Sequence, residues 1–236
     1  MSSPGDFSLA GRTAVVTGAR SGIGRAIAVG YAAAGAHVIA WGRTEAVTEA
    51  VTEAVEAIWD QGGSAEAAVA DLSDTDATAG LAEELAATRS VDILVNNAGI
   101  ITRAPAEELD DEQWRSVLTV NLDAVWLLSR VFGTAMLERG AGRIITIASM
   151  LSFQGARNVA AYTASKHAVV GLTGAGHRVG GPGRGRERAG ARVRGHVQHR
   201  RAAGRRGPCG GDLGPDPRRA VGAPAGRGRS GDLPRQ

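Results

Sequence analysis

The sequence predicts an α/β protein built as a Rossmann-type doubly wound parallel sheet. Three observations predict it. Short apolar runs alternate with helical stretches five times over. The first run is followed at once by a glycine-spaced turn and then by a helix. The runs are almost continuously apolar, as strands covered on both faces are. At 236 residues the chain is long enough for one domain with a substantial core.

The first strand is expected over Arg12 to Thr17. Gly18-Ala-Arg-Ser-Gly22-Ile-Gly24 follows, and a helix continues from Arg25 to Ala34. Gly18 permits the tight turn, and Gly22 lets backbone approach a pyrophosphate at the positive end of the helix. Gly24 allows close packing of helix on strand. The second strand, from His37, ends in Gly42-Arg43. An acid at that point would bind a ribose 2′-hydroxyl, whereas Arg43 and Arg20 suit a 2′-phosphate. Two readings of Arg43 stand, a phosphate ligand and a solvated loop residue.

A helix is expected over Thr44 to Gln61, stopped by Gly62-Gly63. The third strand is read over Glu66 to Ala70, before Asp71-Leu72, where a carboxylate can meet the adenine amino group. Asp74 to Thr88 has helical character, with Ser73 or Asp74 as cap. The fourth strand, Val91 to Val95, ends in Asn96-Asn97-Ala98-Gly99. Small and amide residues there can line a cofactor, or tie neighbouring strands together.

One long helix is expected from Asp110 to about Glu138, with Asn121 in its middle. An internal Asn is unfavourable by propensity. It either holds a water near Lys166 or is a satisfied buried amide. The fifth strand, Arg143 to Ala148, delivers Ser149 at its carboxyl end, the edge where open α/β sheets bind ligands. A last helix carries Tyr162 and Lys166 and extends to about Thr173. Residues four apart share a helix face. A cation beside a phenol favours the phenolate, so the pair suits proton transfer.

Other features exclude function classes. No run of 18 apolar residues is present, so no membrane span is expected. The N-terminus lacks the pattern of a signal peptide. The single cysteine, Cys209, provides no disulfide framework and no thiolate cluster, and no metal is expected. A cytoplasmic enzyme is the expectation.

The motifs Thr17-Gly18-x-x-x-Gly22-Ile23-Gly24, Asn96-Asn97-Ala98-Gly99, Asn121, Ser149 and Tyr162-x-x-x-Lys166 resemble, in order and spacing, the short-chain dehydrogenase/reductase family. The resemblance covers residues 7–173. It implies hydride transfer between a nicotinamide cofactor, NAD(P)(H), and a carbonyl or secondary alcohol. It makes Tyr162 the general acid/base, with Lys166 lowering its pKa and holding the nicotinamide ribose. Ser149 binds the substrate oxygen, and Asn121 supports a proton-relay water. Cofactor contacts fall to Gly18, Arg20, Ser21, Gly22, Ile23, Gly24, Arg43, Asp71, Leu72, Asn97, Ala98 and Gly99, together with Tyr162 and Lys166. Within the family, Ile147-Ala-Ser-Met-Leu-Ser-Phe-Gln-Gly155 resembles the 2-dehydro-3-deoxygluconate 5-dehydrogenase branch, near the gluconate 5-dehydrogenases. A sugar-acid substrate follows. That branch points to NAD, while Gly42, Arg43 and Arg20 point to NADP. A 3-oxoacyl-carrier-protein reductase-like enzyme is the rival of the same fold.

The chain changes character at Gly174. Residues 1–173 hold 12 Lys+Arg against 20 Asp+Glu, whereas 174–236 hold 15 Arg against 4 acids and 17 of the 34 glycines. Taken literally, 174–236 is a disordered basic tail, and a nucleic-acid-binding arm is the rival reading from another class. The genetic code offers a different account. Codons built from bases two and three of one codon plus base one of the next permit Ala-Leu-Ala-Thr-Glu-Trp-Ala from Gly174 to Gly181. They permit Arg-Ile-Pro-Ala-Gly-Arg-Trp within Asp212 to Gly222. These resemble the missing second half of the family, so a frameshift near residue 173 is expected. The family's homotetramer, which uses late elements, is then not expected of this chain.

Overall fold

The computed structural model describes residues 7–43 and 53–176. A five-stranded, all-parallel sheet has the order β3-β2-β1-β4-β5. The strands are β1 (Thr13–Thr17), β2 (His37–Gly42), β3 (Ser64–Val69), β4 (Val91–Asn96) and β5 (Arg143–Thr146). The order reverses beside β1: the chain winds outward through β2 and β3, then returns to place β4 on the other side. That leaves a crevice at the carboxyl ends of β1 and β4, where such sheets bind ligands.

Both faces are covered, each by its own core. On one face Val15, Ile39 and Leu94 pack with Leu85, Leu128 and Phe132. Leu85 comes from α2 (Thr75–Thr88); Leu128 and Phe132 come from α4 (Ala124–Arg139). On the other face Ala14, Val16, Val38 and Val95 pack with Ala28 and Ala32 of α1 (Gly22–Ala33), and with Ile58 from a helical stretch over 53–59. Consecutive strand residues thus enter opposite cores, the reason these runs are apolar without alternation. Asp74 caps α2 by accepting from Ala77 N at 3.0 Å. Asp110 caps α3 (Asp111–Leu118) by accepting from Gln113 N at 2.7 Å.

Several boundaries differ from expectation. β3 begins at Ser64, two residues early, because its pairing with β2 starts at His37↔Ser64. The α1 helix starts at Gly22, inside the glycine loop. β5 ends at Thr146, before Ala148. Residues 44–52 of the expected second helix lie outside the described residues, as do residues 177–236. The long helix is interrupted: a π-turn, Thr119–Asp123, joins α3 to α4. Asp111–Arg139 as a whole is long and apolar enough to cross a membrane by length and composition. Yet Leu127, Leu128, Phe132 and Met136 lie in the core, which explains its apolar character within this fold.

Candidate active site

The glycine loop is held to the end of β4 by Thr17. Its hydroxyl donates to Val95 O at 3.2 Å and accepts from Asn97 N and Ala98 N, both at 3.0 Å. Asn97 returns the link, donating its side-chain amide to Thr17 O at 2.9 Å. The expected alternative for the Asn run, a tie between neighbouring strands, is therefore realised by Asn97 itself. A Cβ added at Gly24 would collide with Gly18 O and the Asn97 amide, so only glycine fits. Ser21, the residue before α1, makes no side-chain cap bond, which leaves the helix's first amides to other acceptors.

Above this junction lies a cavity of about 420 Å³. Gly18, Arg20, Ser21, Arg43, Asp71, Leu72, Asn97, Ala98 and Gly99 line it, all anticipated from sequence. Trp41, Gly42, Ala70, Ser73, Ile100, Ser116 and Val120 complete the lining. Trp41 is buried, and its indole donates to Ala70 O at 3.0 Å, pinning the ends of β2 and β3 together. Arg43 lies 3.8 Å from the Asp71 carboxylate. Gly22 borders a groove along the outer side of α1 instead, and Ile23 is 63% exposed.

The second group surrounds α5 (Ala160–Gly176). Lys166 is buried, donates to Ile147 O at 2.7 Å, and lies 5.8 Å from the Tyr162 ring centroid. Burial pushes the Lys166 ammonium below the ordinary lysine value. Ile147 stands two residues before Ser149, so this bond ties α5 to the strand end that delivers the serine. Ser149 and Ser152 form a reciprocal capping box around a 3₁₀ turn, Met150–Ser152. The turn fixes the serine backbone; Met150 and Phe153 beside it are exposed.

Asn121 sits on the π-turn, 1% exposed. Its Oδ1 accepts from Ile100 N at 2.8 Å, and its Nδ2 donates to Ile100 O at 2.9 Å and to Ser165 Oγ at 3.1 Å. Of the two sequence readings, the satisfied buried amide is what the geometry displays. Gly99 links this group to the cavity: a Cβ there would lie 3.2 Å from Asn121 Oδ1 and 3.9 Å from Lys166 Nζ. Sequence reasoning missed Thr17 as a site support, Trp41, Ser152 and Ser165. Thr17 opens the glycine motif and Ser165 stands inside Tyr162-x-x-x-Lys166, but their bonds to Val95 and Asn121 arise only in the tertiary fold. Among the described residues no group of His, Cys and acids could hold a metal.

The donors suit a dinucleotide: free helix-end amides and Arg20 for phosphates, a carboxylate at Asp71, and a lysine at the far end. The family model for short chain dehydrogenase matches residues 12–180. The 2-dehydro-3-deoxy-D-gluconate 5-dehydrogenase of Bacillus subtilis (strain 168) is 47% identical over 167 residues, 71% of this chain and 64% of that protein. The gluconate 5-dehydrogenase of Gluconobacter oxydans (strain 621H) is 40% identical over 174 residues, 73% of this chain and 67% of that protein. A putative NAD(P) dependent gluconate 5-dehydrogenase from Beutenbergia cavernae, with bound NADP at low occupancy, superposes with a TM-score of 0.70. It is 74% identical, over 72% of this chain and 67% of that one. The chain spans just under two thirds of the Bacillus relative's length. With the family model matched over most of its length, this chain belongs to the short-chain dehydrogenase family.

Proposed function

We propose that the chain is an NAD(P)-dependent oxidoreductase of the cytoplasm, acting on a carbonyl or secondary alcohol of a sugar acid of the 2-dehydro-3-deoxygluconate or gluconate type. The observation that carries the reading is the position of Lys166, one helical turn from Tyr162, bonded to Ile147 O and close to Gly99 of the cavity wall. The nicotinamide, when bound, gives or takes the hydride. In the reducing direction the Tyr162 hydroxyl gives its proton to the substrate oxygen, which Ser149 Oγ holds by a hydrogen bond. Lys166 Nζ, held by Ile147 O, stands 5.8 Å from the centre of that ring. Asn121 keeps the cavity wall at Ile100 in place beside the proton path.

On this reading the cofactor is NADP. β2 ends in Gly42 with Arg43 next, not in an acid, and Arg20 has no ion-pair partner among the described residues. Arg43 would exchange the Asp71 carboxylate, 3.8 Å away and half-solvated, for a 2′-phosphate. The substrate class rests on the similarity to sugar-acid dehydrogenases and on the Ser149–Gly155 stretch. We further propose that 7–173 is the nucleotide-binding domain and that 174–236 is a frameshifted tail. The literal chain then turns over slowly and does not form the family tetramer.

The test is a titration of the purified 236-residue chain with NADPH and NADH, read by energy transfer from Trp41. A panel of keto-sugar acids is then assayed with the same chain and with a frame-repaired version. Tighter binding of NADPH and turnover of a sugar acid by the repaired chain are expected. Failure of both nucleotides to bind would overturn the reading.

A further inference from the structure

We propose that Ser165 is a positioning residue: it ties the π-turn that carries Asn121 to the helix that carries Tyr162 and Lys166. The inference rests on the oxidoreductase reading above. Ser165 is fully buried, and both roles of its hydroxyl are used. It donates to Tyr162 O at 2.7 Å and accepts from Asn121 Nδ2 at 3.1 Å. The first bond alone is an ordinary one, since helical serines commonly bond back to the preceding turn. The second is not local. It comes from a side chain 44 residues earlier, on a different element.

Asn121 spends its other amide groups on both backbone groups of Ile100, a residue of the cavity wall. A hydrogen-bonded path therefore runs from Ile100 through Asn121 and Ser165 to the peptide of Tyr162. Each bond in it is buried or partly buried, where a fully satisfied polar network specifies one arrangement. The π-turn supplies the geometry, because it rotates Asn121 out of the register that an uninterrupted helix would give it. Deleting the Ser165 hydroxyl leaves an Asn121 N–H without its partner. The wall and the reacting helix then lose their fixed separation, and water gains access to the gap beside Lys166.

The sequence provides a probe for this, since Lys166 is the only lysine in the chain. The full-length protein labelled with ¹³C at lysine Cε gives one side-chain signal, whose pH titration reads Lys166 without any need for turnover. Burial holds the parent value below that of an ordinary lysine. In Ser165→Ala the midpoint is expected to rise by about half a pH unit or more, as water returns. Asn121→Ala is expected to move it the same way, and the double variant no further than Asn121→Ala alone, because both changes break the shared Asn121–Ser165 bond. If Ser165→Ala does not fold, the nearly isosteric Ser165→Cys keeps the packing, weakens both bonds and shifts the midpoint in the same direction. An unchanged midpoint in a folded Ser165 variant, even one with a lowered Tm, would make the serine merely structural and overturn the inference. Adding NADPH to the labelled parent is a separate arm. A cofactor that leaves the Lys166 signal unmoved would sink the underlying reading, whatever the serine variants do.

Discussion

Lys166 Nζ lies 2.7 Å from the carbonyl oxygen of Ile147 and 5.8 Å from the centre of the Tyr162 ring. The ammonium is thus anchored on β5's extension rather than on the phenol. Among the described residues its one hydrogen bond is to a neutral carbonyl, and no carboxylate pairs with it.

A stability test follows from that arrangement. The folded-state pKa of Lys166 is depressed below its unfolded value by burial. Between the two values the unfolded chain binds more protons, so stability rises with pH in that window. The cost is fully present below the folded value and vanishes above the ordinary lysine range. Lys166→Met removes it, so the variant is expected to match or exceed the parent in stability at pH 7 and to lose the advantage as pH approaches 10.5. Tyr31, raised by burial, contributes an opposite trend above pH 10. It cancels in the difference between the two proteins. Urea unfolding across pH 7 to 10 measures this, and a large loss of stability at pH 7 would contradict it.

Thr17 is expected to be worth more than a surface threonine. Thr17→Val keeps the volume but leaves the partly buried amides of Asn97 and Ala98 without their acceptor. The cost is about 1–3 kcal/mol. Because the same amides belong to the cavity wall, nucleotide affinity should fall alongside stability. Chemical denaturation and Trp41 energy transfer read the two separately. Equal Kd in both proteins would show that the wall does not depend on this hydroxyl.

Two glycines on one helix should respond in opposite ways to alanine. At Gly24 a Cβ runs into the Gly18 carbonyl and the Asn97 amide, so Gly24→Ala should cost about 1–3 kcal/mol and abolish nucleotide binding. At Gly30 a Cβ meets nothing within 4 Å and the position is interior to α1. Gly30→Ala is expected to stabilise by about 0.5–1 kcal/mol, from helix propensity alone. Thermal unfolding of the pair decides it; equal effects would show that the packing at Gly24 is not the constraint.

The sheet was legible because burial on both faces leaves near-continuous runs such as Ala14-Val-Val16 and Ile93-Leu-Val95. The glycine loop was legible because steric limits act on single residues, as at Gly24. β3 was harder: only Ala65 and Ala68 of it are buried, and Ser64 looks like a loop residue. The π-turn was invisible, since one inserted residue barely alters helical periodicity, although the ill-suited Asn121 marked the spot. Thr17 and Ser165 went unread because tertiary packing brings Val95 and Asn121 to their hydroxyls, whereas Ser152 pairs locally with Ser149 in a capping box.

The frameshift reading makes the most far-reaching prediction. Among the described residues β5 pairs with β4 alone, and its isoleucines Ile144 and Ile145, like Ile147 just beyond it, are only half-buried. Those of a fully covered strand, such as Val15 or Leu94, are not exposed at all. A further strand and helix would complete that burial and relieve an open edge. The residues from Gly174 onward, rich in Arg and Gly, do not have the composition to supply them. On the frameshift proposal, the shifted frame supplies them. Restoring one or two bases near codon 174 is expected to yield an open frame that contains the Arg-Ile-Pro-Ala-Gly-Arg-Trp stretch. Its product should unfold at a higher temperature than the literal chain and should turn over NADPH with a keto-sugar acid. Intact mass, thermal unfolding and a steady-state assay on the two proteins side by side measure each part. A gene whose unbroken natural frame encodes the Arg/Gly segment, with robust turnover by the literal 236-residue chain, would end the proposal. The uncovered edge of β5 would then have to be stable as it stands.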